Sequence, residues 1–399
     1  MFRFLTAGES HGPGLTTIIE GIPAGLKLSV EDINPHLYRR QQGYGRGGRM
    51  KIESDQAILR SGVRHGLTLG SPITLEINNR DWENWQIKMS PTPVEQPVEE
   101  VVLSRPGHAD FPGAMKYGHQ DIRNVIERSS ARETAARVAV GAVCLTFLRA
   151  FGVEIHSHVL SIGPVGYRDS EHSTVRQPLS ADYWERVEQS PVRCGDSDLE
   201  AKMIEQIHQS KPQGETCGGI FEVVATGVPI GLGSYSQWDR RLSARLAMAL
   251  MSIPSIKGVE IGEGFESTAL PGSQVHDVLQ WQDSAGWQHL TNNAGGIEGG
   301  ISNGAPIVAR AAVKPISTLA HPLPSVNIQT HENLPEGRYE RSDVCVVPAA
   351  GVVGEAMVAI ALTEAWLEKF GGDSMDELFA HIRAFRARVE KLSAEAPAS

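Results

Sequence analysis

Two histidines are held in glycine turns. His11 lies in Gly8-Glu9-Ser10-His11-Gly12-Pro13-Gly14, just ahead of a β-branched run, and His108 lies in Arg105-Pro106-Gly107-His108-Ala109-Asp110. An imidazole kept accessible by glycine can donate a proton near neutrality; a histidine that merely completes a turn would look the same. Between them runs Arg39-Arg40-Gln41-Gln42-Gly43-Tyr44-Gly45-Arg46-Gly47-Gly48-Arg49-Met50-Lys51, with five cations and no acid. Glycines let such a segment bend until several guanidinium groups converge on one anion, and guanidinium forks match phosphate and carboxylate. Three readings are open: a site for a multiply charged small anion, a solvated basic loop, or an RGG-like RNA contact. Three further segments combine hydroxyls with charge. Glu127-Arg128-Ser129-Ser130-Ala131-Arg132-Glu133-Thr134 opens a helix and suits phosphate or a plain capped start. Lys314-Pro315-Ile316-Ser317-Thr318 suits phosphate or a turn, and Arg341-Ser342-Asp343 is a charged triplet entering an apolar run.

The elements that must position these residues are written twice. Gly8-Glu9-Ser10-His11-Gly12 recurs 206 residues on as Gly214-Glu215-Thr216-Cys217-Gly218, and at the same spacing Gly21-Ile22-Pro23 recurs as Gly227-Val228-Pro229. Each pair of motifs encloses a β-branched run, Leu15 to Ile19 and Phe221 to Ala225, that reads as a buried strand. Gly66, Gly70 and Pro72-Ile73 echo Gly300, Gly304 and Pro306-Ile307, and Arg128-Ser129 and Arg341-Ser342 each precede a helix ending at Phe-Gly. Four pairs in one order point to an internal duplication into two halves, about 1–205 and 206–392, with chance coincidence of glycine motifs as the alternative. Further strands are expected at Ile73–Ile77, Ile220–Ala225, Val259–Ile261 and Ile307–Val313. Helices are expected from about Asp121 to Ala150, with alanine and glycine allowing close approach to a sheet, and from Asp239 to Ser252, stopped by Pro254. Two more are expected from Val353 to Phe370, ended by Gly371, and from Met375 to about Leu392 behind a Ser374–Glu377 capping box. The proline-containing runs Lys88 to Asp110 and Lys314 to Arg341 are too long for idle connectors and read as lids or site loops. The fold class is α+β, one large domain over 1–392 with a frayed tail at 393–399.

At 399 residues the chain can bury a large core without cross-links. Hydrophobic residues are 41% and charged residues 21%, ordinary globular usage that argues against disorder and membrane residence. The 41 glycines are an excess, which means tight turns or backbone brought close to ligands. A net charge of −10 argues against a nucleic-acid-coating protein. Cys144, Cys194, Cys217 and Cys345 form no C-x-x-C pair, so neither a disulfide framework nor a zinc ribbon is expected. The start lacks an apolar targeting segment, and the run Val138 to Leu148 is too short to span a bilayer; a soluble, cytoplasmic protein is expected. No Walker loop is present, nor a G-x-G-x-x-G after a strand, which weakens kinase-type and Rossmann readings.

These motifs resemble the chorismate synthase family. Gly8 to Gly12 is similar to its first signature, Arg128 to Ala135 to its second, and Arg341-Ser342-Asp343 through Val346-Val347-Pro348 to Gly354-Glu355-Ala356-Met357 to its third. The stretches Arg39-Arg40 to Arg49-Met50, Arg105 to Asp110 and Lys257 to Gly262 also resemble the family, so the likeness covers nearly the whole chain. The resemblance implies a lyase that converts 5-enolpyruvylshikimate 3-phosphate to chorismate and phosphate by 1,4-anti elimination. It also implies reduced FMN as cofactor without net redox change, and NADPH as the source of reducing equivalents. It further implies a β-α-β sandwich with internal pseudo-two-fold symmetry and a homotetramer, with no nucleic acid or membrane partner. By the same resemblance His11 would protonate the departing phosphate, His108 would donate to the flavin, and Asp343, supported by Ser10, would act as a base. Arg40, Arg46, Arg49, Arg132 and Arg341 would neutralise the substrate's anionic groups. Arg128, Ser129, Ser130, Ser255, Gly299, Lys314, Pro315, Ile316, Ser317, Thr318 and Arg341 would contact the cofactor. Many members have His where this chain has Ser342, and Pro-Cys where it has Val344-Cys345; the acid survives. Cys217 can stand at the second-half counterpart of His11 if only one half needs the acid.

The rivals are an RNA-binding protein using Arg39 to Lys51 and a flavin oxidoreductase with net turnover of reductant.

Overall fold

Alternation of apolar and polar positions early in the chain builds a four-stranded antiparallel sheet. Its strands are β1 (Arg3–Ala7), β2 (Gly14–Glu20), β3 (Ala57–Ser61) and β4 (Ile73–Asn78), in the order β1-β2-β4-β3. Leu15, Thr17, Ile19, Ile73, Leu75 and Ile77 point inward and are buried, while Ile18 and Leu5 are on the outer face. The computed structural model describes residues 1–47, 53–166, 179–282, 286–340 and 343–394, the last two without their side chains.

A second antiparallel sheet follows from β5 (Glu154–Ile162), β6 (Gly219–Thr226), β7 (Ile256–Ile261) and β8 (Ile307–Val313). Its order is β5-β6-β8-β7, with Val165–Gly166 added outside β5. In chain order this repeats the pattern of the first sheet. The register agrees as well: Ile19 faces Ile73 in the first sheet, and Ala225 faces Ile307 in the second. Those partners are related by the two spacings seen in the sequence, Gly8 to Gly214 and Gly66 to Gly300.

The helices are α1 (Val30–Gln41), α2 (Asp110–Tyr117), α3 (Arg123–Ser129), α4 (Thr134–Arg149), α5 (Ala181–Gln189), α6 (Ser197–Ser210), α7 (Leu242–Met251), α8 (Val347–Phe370) and α9 (Met375–Ala394). Helix α4 packs on β2 and β4 and on α8, and α8 packs on β5 and β6. One continuous apolar core runs from Phe2 to Ile382, so the chain forms a single mixed α/β domain. The alanine and glycine of α4 serve a helix rather than a sheet: a methyl group added to Gly141 would lie 2.3 Å from Ala356 Cβ on α8. Among the described residues α8 is the one helix long and apolar enough to cross a bilayer, and it is buried inside the protein.

The expected helix over Asp121–Ala150 is broken. Ser129 Oγ donates to Val125 O at 2.7 Å, and Ser130 turns extended, with its hydroxyl accepting from the Arg132 amide. Serine hydroxyls that bond the nearby backbone compete with helix continuation. A 3₁₀ turn, Ala131–Glu133, then leads into α4. The expected helix over Asp239–Ser252 likewise starts with a 3₁₀ turn at Trp238–Arg240, and α8 begins at Val347, six residues before its expected start. Helix α1 was not expected, and it carries Arg39 and Arg40 in its last turn rather than in a loop.

The two long proline-containing runs pair with each other. Leu103 bridges Asn327, the Ile328 amide donates to Val102 O at 3.0 Å, and Ser325 Oγ donates to Ser104 O at 2.5 Å. A small second core of Val101, Ala114, Ile122, Val125 and Ile126, with Ile328 against it, ties them to α2 and α3.

Candidate active site

His11 is fixed by the turn that joins β1 to β2. Gly8 makes that turn with φ +109°, and a Cβ there would lie 2.3 Å from Gly14 O. The Ser10 amide donates to Glu127 O at 2.9 Å, and the His11 amide donates to Glu127 Oε2 at 2.8 Å. His11 Nδ1 lies 3.0 Å from both carboxylate oxygens of Glu127. Burial raises the Glu127 pKa, but hydrogen bonds from His11 and the nearby Arg123 charge outweigh it and hold the carboxyl below its ordinary value. An ionised carboxylate only accepts, so Nδ1 carries the hydrogen and Nε2 is left for a ligand. The His11 ring stacks on Trp85 with centroids 3.9 Å apart, and Arg123 lies over the same indole at 5.2 Å.

His108, in the turn just ahead of α2, has the same arrangement. Its Nδ1 is 2.5 Å from Asp110 Oδ1, and Arg105 grips Asp110 through Nε to Oδ2 at 2.8 Å and Nη2 to Oδ1 at 2.9 Å. Burial opposes ionisation of Asp110, but His108 and Arg105 hold its carboxyl far below the ordinary range. Glu340 connects the two groups. Burial pushes its pKa up, while the Arg338 hydrogen bond and the charges of Arg338, Arg123 and Arg105 bring it below the ordinary value. Arg123 Nη2 is 3.3 Å from Glu340 Oε1.

The arginines form a deeper layer. Asp55 accepts from Arg40 Nη2 at 2.7 Å and from Arg132 Nη1 at 2.5 Å, and Arg132 Nε donates to Asn79 Oδ1 at 2.9 Å. Arg40 and Arg132 are buried, as are Asp55 and Glu53. Burial, together with the charges of Arg132 and Arg46, pushes Arg40 down to about 10 despite Asp55. Arg40 Nε has no hydrogen-bond partner. A cation crowded in this way gains when an anion approaches. Arg46 reaches Asp343 at 3.0 Å, and the Gly47 amide donates to Asp343 Oδ1 at 2.5 Å. Arg39 points elsewhere, onto Glu355 and Glu188.

A third group lies beside His108. Lys314 Nζ donates to Gly107 O, and Arg105 Nη1 reaches Thr318 Oγ1 at 3.4 Å. The Lys314 amide donates at 2.9 Å to the carbonyl of Ser255, which has φ +72°. Burial and the neighbouring Lys257 charge lower the Lys314 pKa. Two lysines that repel each other beside hydroxyls of Ser255, Ser317 and Thr318 are a donor set suited to a phosphate group. Ile316 O accepts from Thr216 Oγ1 at 2.8 Å, and Pro315 packs against Gly218. Gly299 occupies an open turn with φ +60° between Ile297–Glu298 and Ile301–Ser302.

The remaining expected site residues have other placements. Arg128 is exposed and bonds Thr6 and the Gly8 carbonyl, bracing the turn that presents His11. Ser129 bonds its own helix, and Ser130 caps the 3₁₀ turn. Arg49 and Arg341 lie outside the described residues. Sequence reasoning gave no role to Glu127, Asp110, Asp55 or Trp85. Among the described residues no group of three or more His, Cys, Asp or Glu is placed to hold a metal ion. All four cysteines are buried, with Cys217 bridged to Cys345 through the backbone.

A family model described as chorismate synthase matches residues 2–367. A chorismate synthase of Geobacter sulfurreducens is 55% identical over 400 residues, covering 96% of this chain and all of the relative. One of Aquifex aeolicus is 55% identical over 380 residues, covering 94% and 95%. A solved structure titled as a crystal structure of chorismate synthase superposes with a TM-score of 0.79 at 45% identity, covering 98% of each chain.

Proposed function

The chain belongs to the chorismate synthase family, and we propose that the layer from His108 through His11 to Asp343 is where it does that family's chemistry. The reaction is a carbon–oxygen lyase step, 1,4-anti elimination of phosphate from 5-enolpyruvylshikimate 3-phosphate to give chorismate. What supports the placement is one observation: His11 and His108 each face a buried carboxylate with Nδ1, leaving Nε2 for a ligand, with arginines packed around them.

In this reading His11 Nε2 protonates the departing phosphate. Glu127 and the Trp85 stack keep the ring from turning away. Arg46, with Arg40 and Arg132 behind it, offers positive charge for the phosphate and carboxylates, and the family resemblance assigns Arg49 and Arg341, outside the described residues, to the same task. Developing charge on a leaving group is stabilised best by donors already fixed in place. Asp343 is the base, its carboxylate held by Arg46 and the Gly47 amide, and Ser10 supports the turn beside it.

The lysine and hydroxyl group at Lys257, Ser255, Lys314, Ser317 and Thr318 fits the phosphate of reduced FMN. Pro315 and Ile316 lie in the same segment, and the family resemblance also assigns Gly299, Arg128, Ser129, Ser130 and Arg341 to the cofactor, although Ser129 and Ser130 use their hydroxyls on the local backbone. Reduced FMN held there would supply transient electron donation to the substrate without net redox change. His108 Nε2 supplies a proton on that side, and NADPH is the source of reducing equivalents.

The halves 1–205 and 206–392 are a duplication folded as a pseudo-two-fold sandwich, supported by the matching strand order and register of the two sheets. The assembly is a cytoplasmic homotetramer. Exposed Leu5 and Ile18, on the outer face of the first sheet, are apolar groups that such an assembly would cover. The RNA reading loses ground because Arg39 and Arg40 are already committed to Glu355, Glu188 and Asp55.

The test is anaerobic mixing of the protein with photoreduced FMN and 5-enolpyruvylshikimate 3-phosphate, following phosphate and chorismate together. Equal release of both with the flavin still reduced is the expected result. Absence of product from folded, flavin-bound protein would overturn it.

A further inference from the structure

Glu127 is wholly enclosed, yet it spends every hydrogen bond on the His11 turn and on Arg123. Its carbonyl takes the Ser10 amide, Oε2 takes the His11 amide at 2.8 Å, and both carboxylate oxygens face His11 Nδ1 at 3.0 Å. Arg123, one turn earlier on α3, reaches Oε1 at 3.2 Å and is itself shared with Glu340 at 3.3 Å. An acid buried in this way is costly unless its charge is used. The carboxylate fixes one tautomer of His11 and holds the ring in place, while Arg123 draws on the same carboxylate.

We propose that Glu127 is the positioning residue for His11, holding the hydrogen on Nδ1 and the ring so that Nε2 faces the leaving group, with Arg123 sharing the same carboxylate. The charged groups facing this pair are Glu127 and Arg123 from α3, Glu340 and Arg338 from the paired long loops, and Lys88 over the Trp85 ring at 5.4 Å. Glu9 lies beside them in the turn itself. Glu127→Gln keeps the shape but removes the charge, and its amide group can donate to Nδ1, which turns the imidazole to the other tautomer. The inference rests on His11 being the proton donor to the leaving phosphate.

The experiment uses the full chain with labelled histidine, assigning His11 by its loss in His11→Ala, and reads its ring nitrogens and titration by NMR without cofactor. In Glu127→Gln a change of the neutral-ring tautomer is expected, with the hydrogen moved from Nδ1 to Nε2. With reduced FMN and substrate, kcat is expected to fall at least ~10-fold at neutral pH while KM stays within ~3-fold, and Glu127→Asp recovers part of the loss. An unchanged His11 tautomer in Glu127→Gln overturns the proposal; if that chain does not fold, an unchanged kcat in Glu127→Asp does so. Full turnover by His11→Ala would instead remove the proton-donor reading, and the NMR shift in Glu127→Gln would still stand on its own.

Discussion

Arg46 and Asp343, nearly three hundred residues apart in the chain, meet as an ion pair of 3.0 Å at the mouth of the arginine layer. The Gly47 amide adds a second hold on the same carboxylate. The glycine-rich segment after α1 therefore takes its position from the far end of the sequence, and the acid is oriented before any ligand arrives.

Asp343→Asn should leave this contact geometrically possible while removing the charge. Activity should fall by about 10²–10⁴, the usual range for loss of a general base, with the fold intact by circular dichroism. Phosphate release is the measurement. Wild-type turnover in the variant would remove Asp343 from the chemistry.

His11→Ala and His108→Ala should each fold and bind flavin but lose phosphate release by about 10²–10⁴. The two losses have different origins in the assigned roles: His11 acts on the leaving group and His108 on the cofactor side. Normal rates in both variants would contradict those roles.

Stability should depend on pH through His36. Burial, with help from the Arg39 charge, lowers it from 6.5 to about 4. The unfolded chain then binds a proton that the folded one refuses between those values. The resulting stability is present in full above pH ~6.5 and is lost as pH falls through about 4, an effect of about 3 kcal/mol. Glu188, lowered to about 2 by the hydrogen bonds of Arg193 and Arg39 against the opposing effect of burial, adds a loss below pH ~4.5. Melting temperatures from pH 7.5 to 4 should fall steeply in the natural chain and less steeply in His36→Gln; equal slopes would refute the assignment.

Glu355 is the only acid buried among the apolar residues of α8, and it is held by Arg39 at 2.7 Å, Arg193 at 3.1 Å and Ser157 at 2.6 Å. Glu355→Ala should cost about 3–5 kcal/mol in urea unfolding, because two arginines lose the buried one of the two acids they share, keeping only the more exposed Glu188. Adding Arg39→Met to that variant should return part of the loss. A cost under about 1 kcal/mol would show that the network contributes little.

The strands were largely legible in the sequence because alternation and β-branching are local properties. Ile307–Val313 matches its expected bounds, and Ile73–Asn78 and Gly219–Thr226 extend theirs by a residue or two. The capping box at Ser374 is present, with the Glu377 amide donating to Ser374 Oγ at 3.3 Å and the Ser374 amide donating to Glu377 Oε2 at 3.1 Å. Helix α1 was hidden by Pro35 and by its polar sequence; its buried Ile33 and Leu37 are only four residues apart, too short a stripe to declare a period. The histidines were visible as glycine-turn residues. Their partners were not equally visible. Asp110 stood two residues from His108, but Glu127 is 116 residues from His11, and nothing local says that α3 will fold back on that turn. Asp55 was hidden for the same reason, since its role exists only once Arg40 and Arg132 converge on it.

Helix α8 is the partner of α4, of the second sheet and, through Glu355, of α1, yet it is the second-to-last helix to leave the ribosome. A growing chain must expose the apolar faces meant for α8 until residue 347 and beyond have emerged, on the order of half a minute at about 5–20 residues per second. During that interval Arg39 and Arg193 have no Glu355 and Arg46 has no Asp343. The enzyme therefore cannot switch on piecemeal during synthesis. A ribosome that stalls or a transcript truncated before α8 yields an aggregation-prone fragment instead of a weakly active protein.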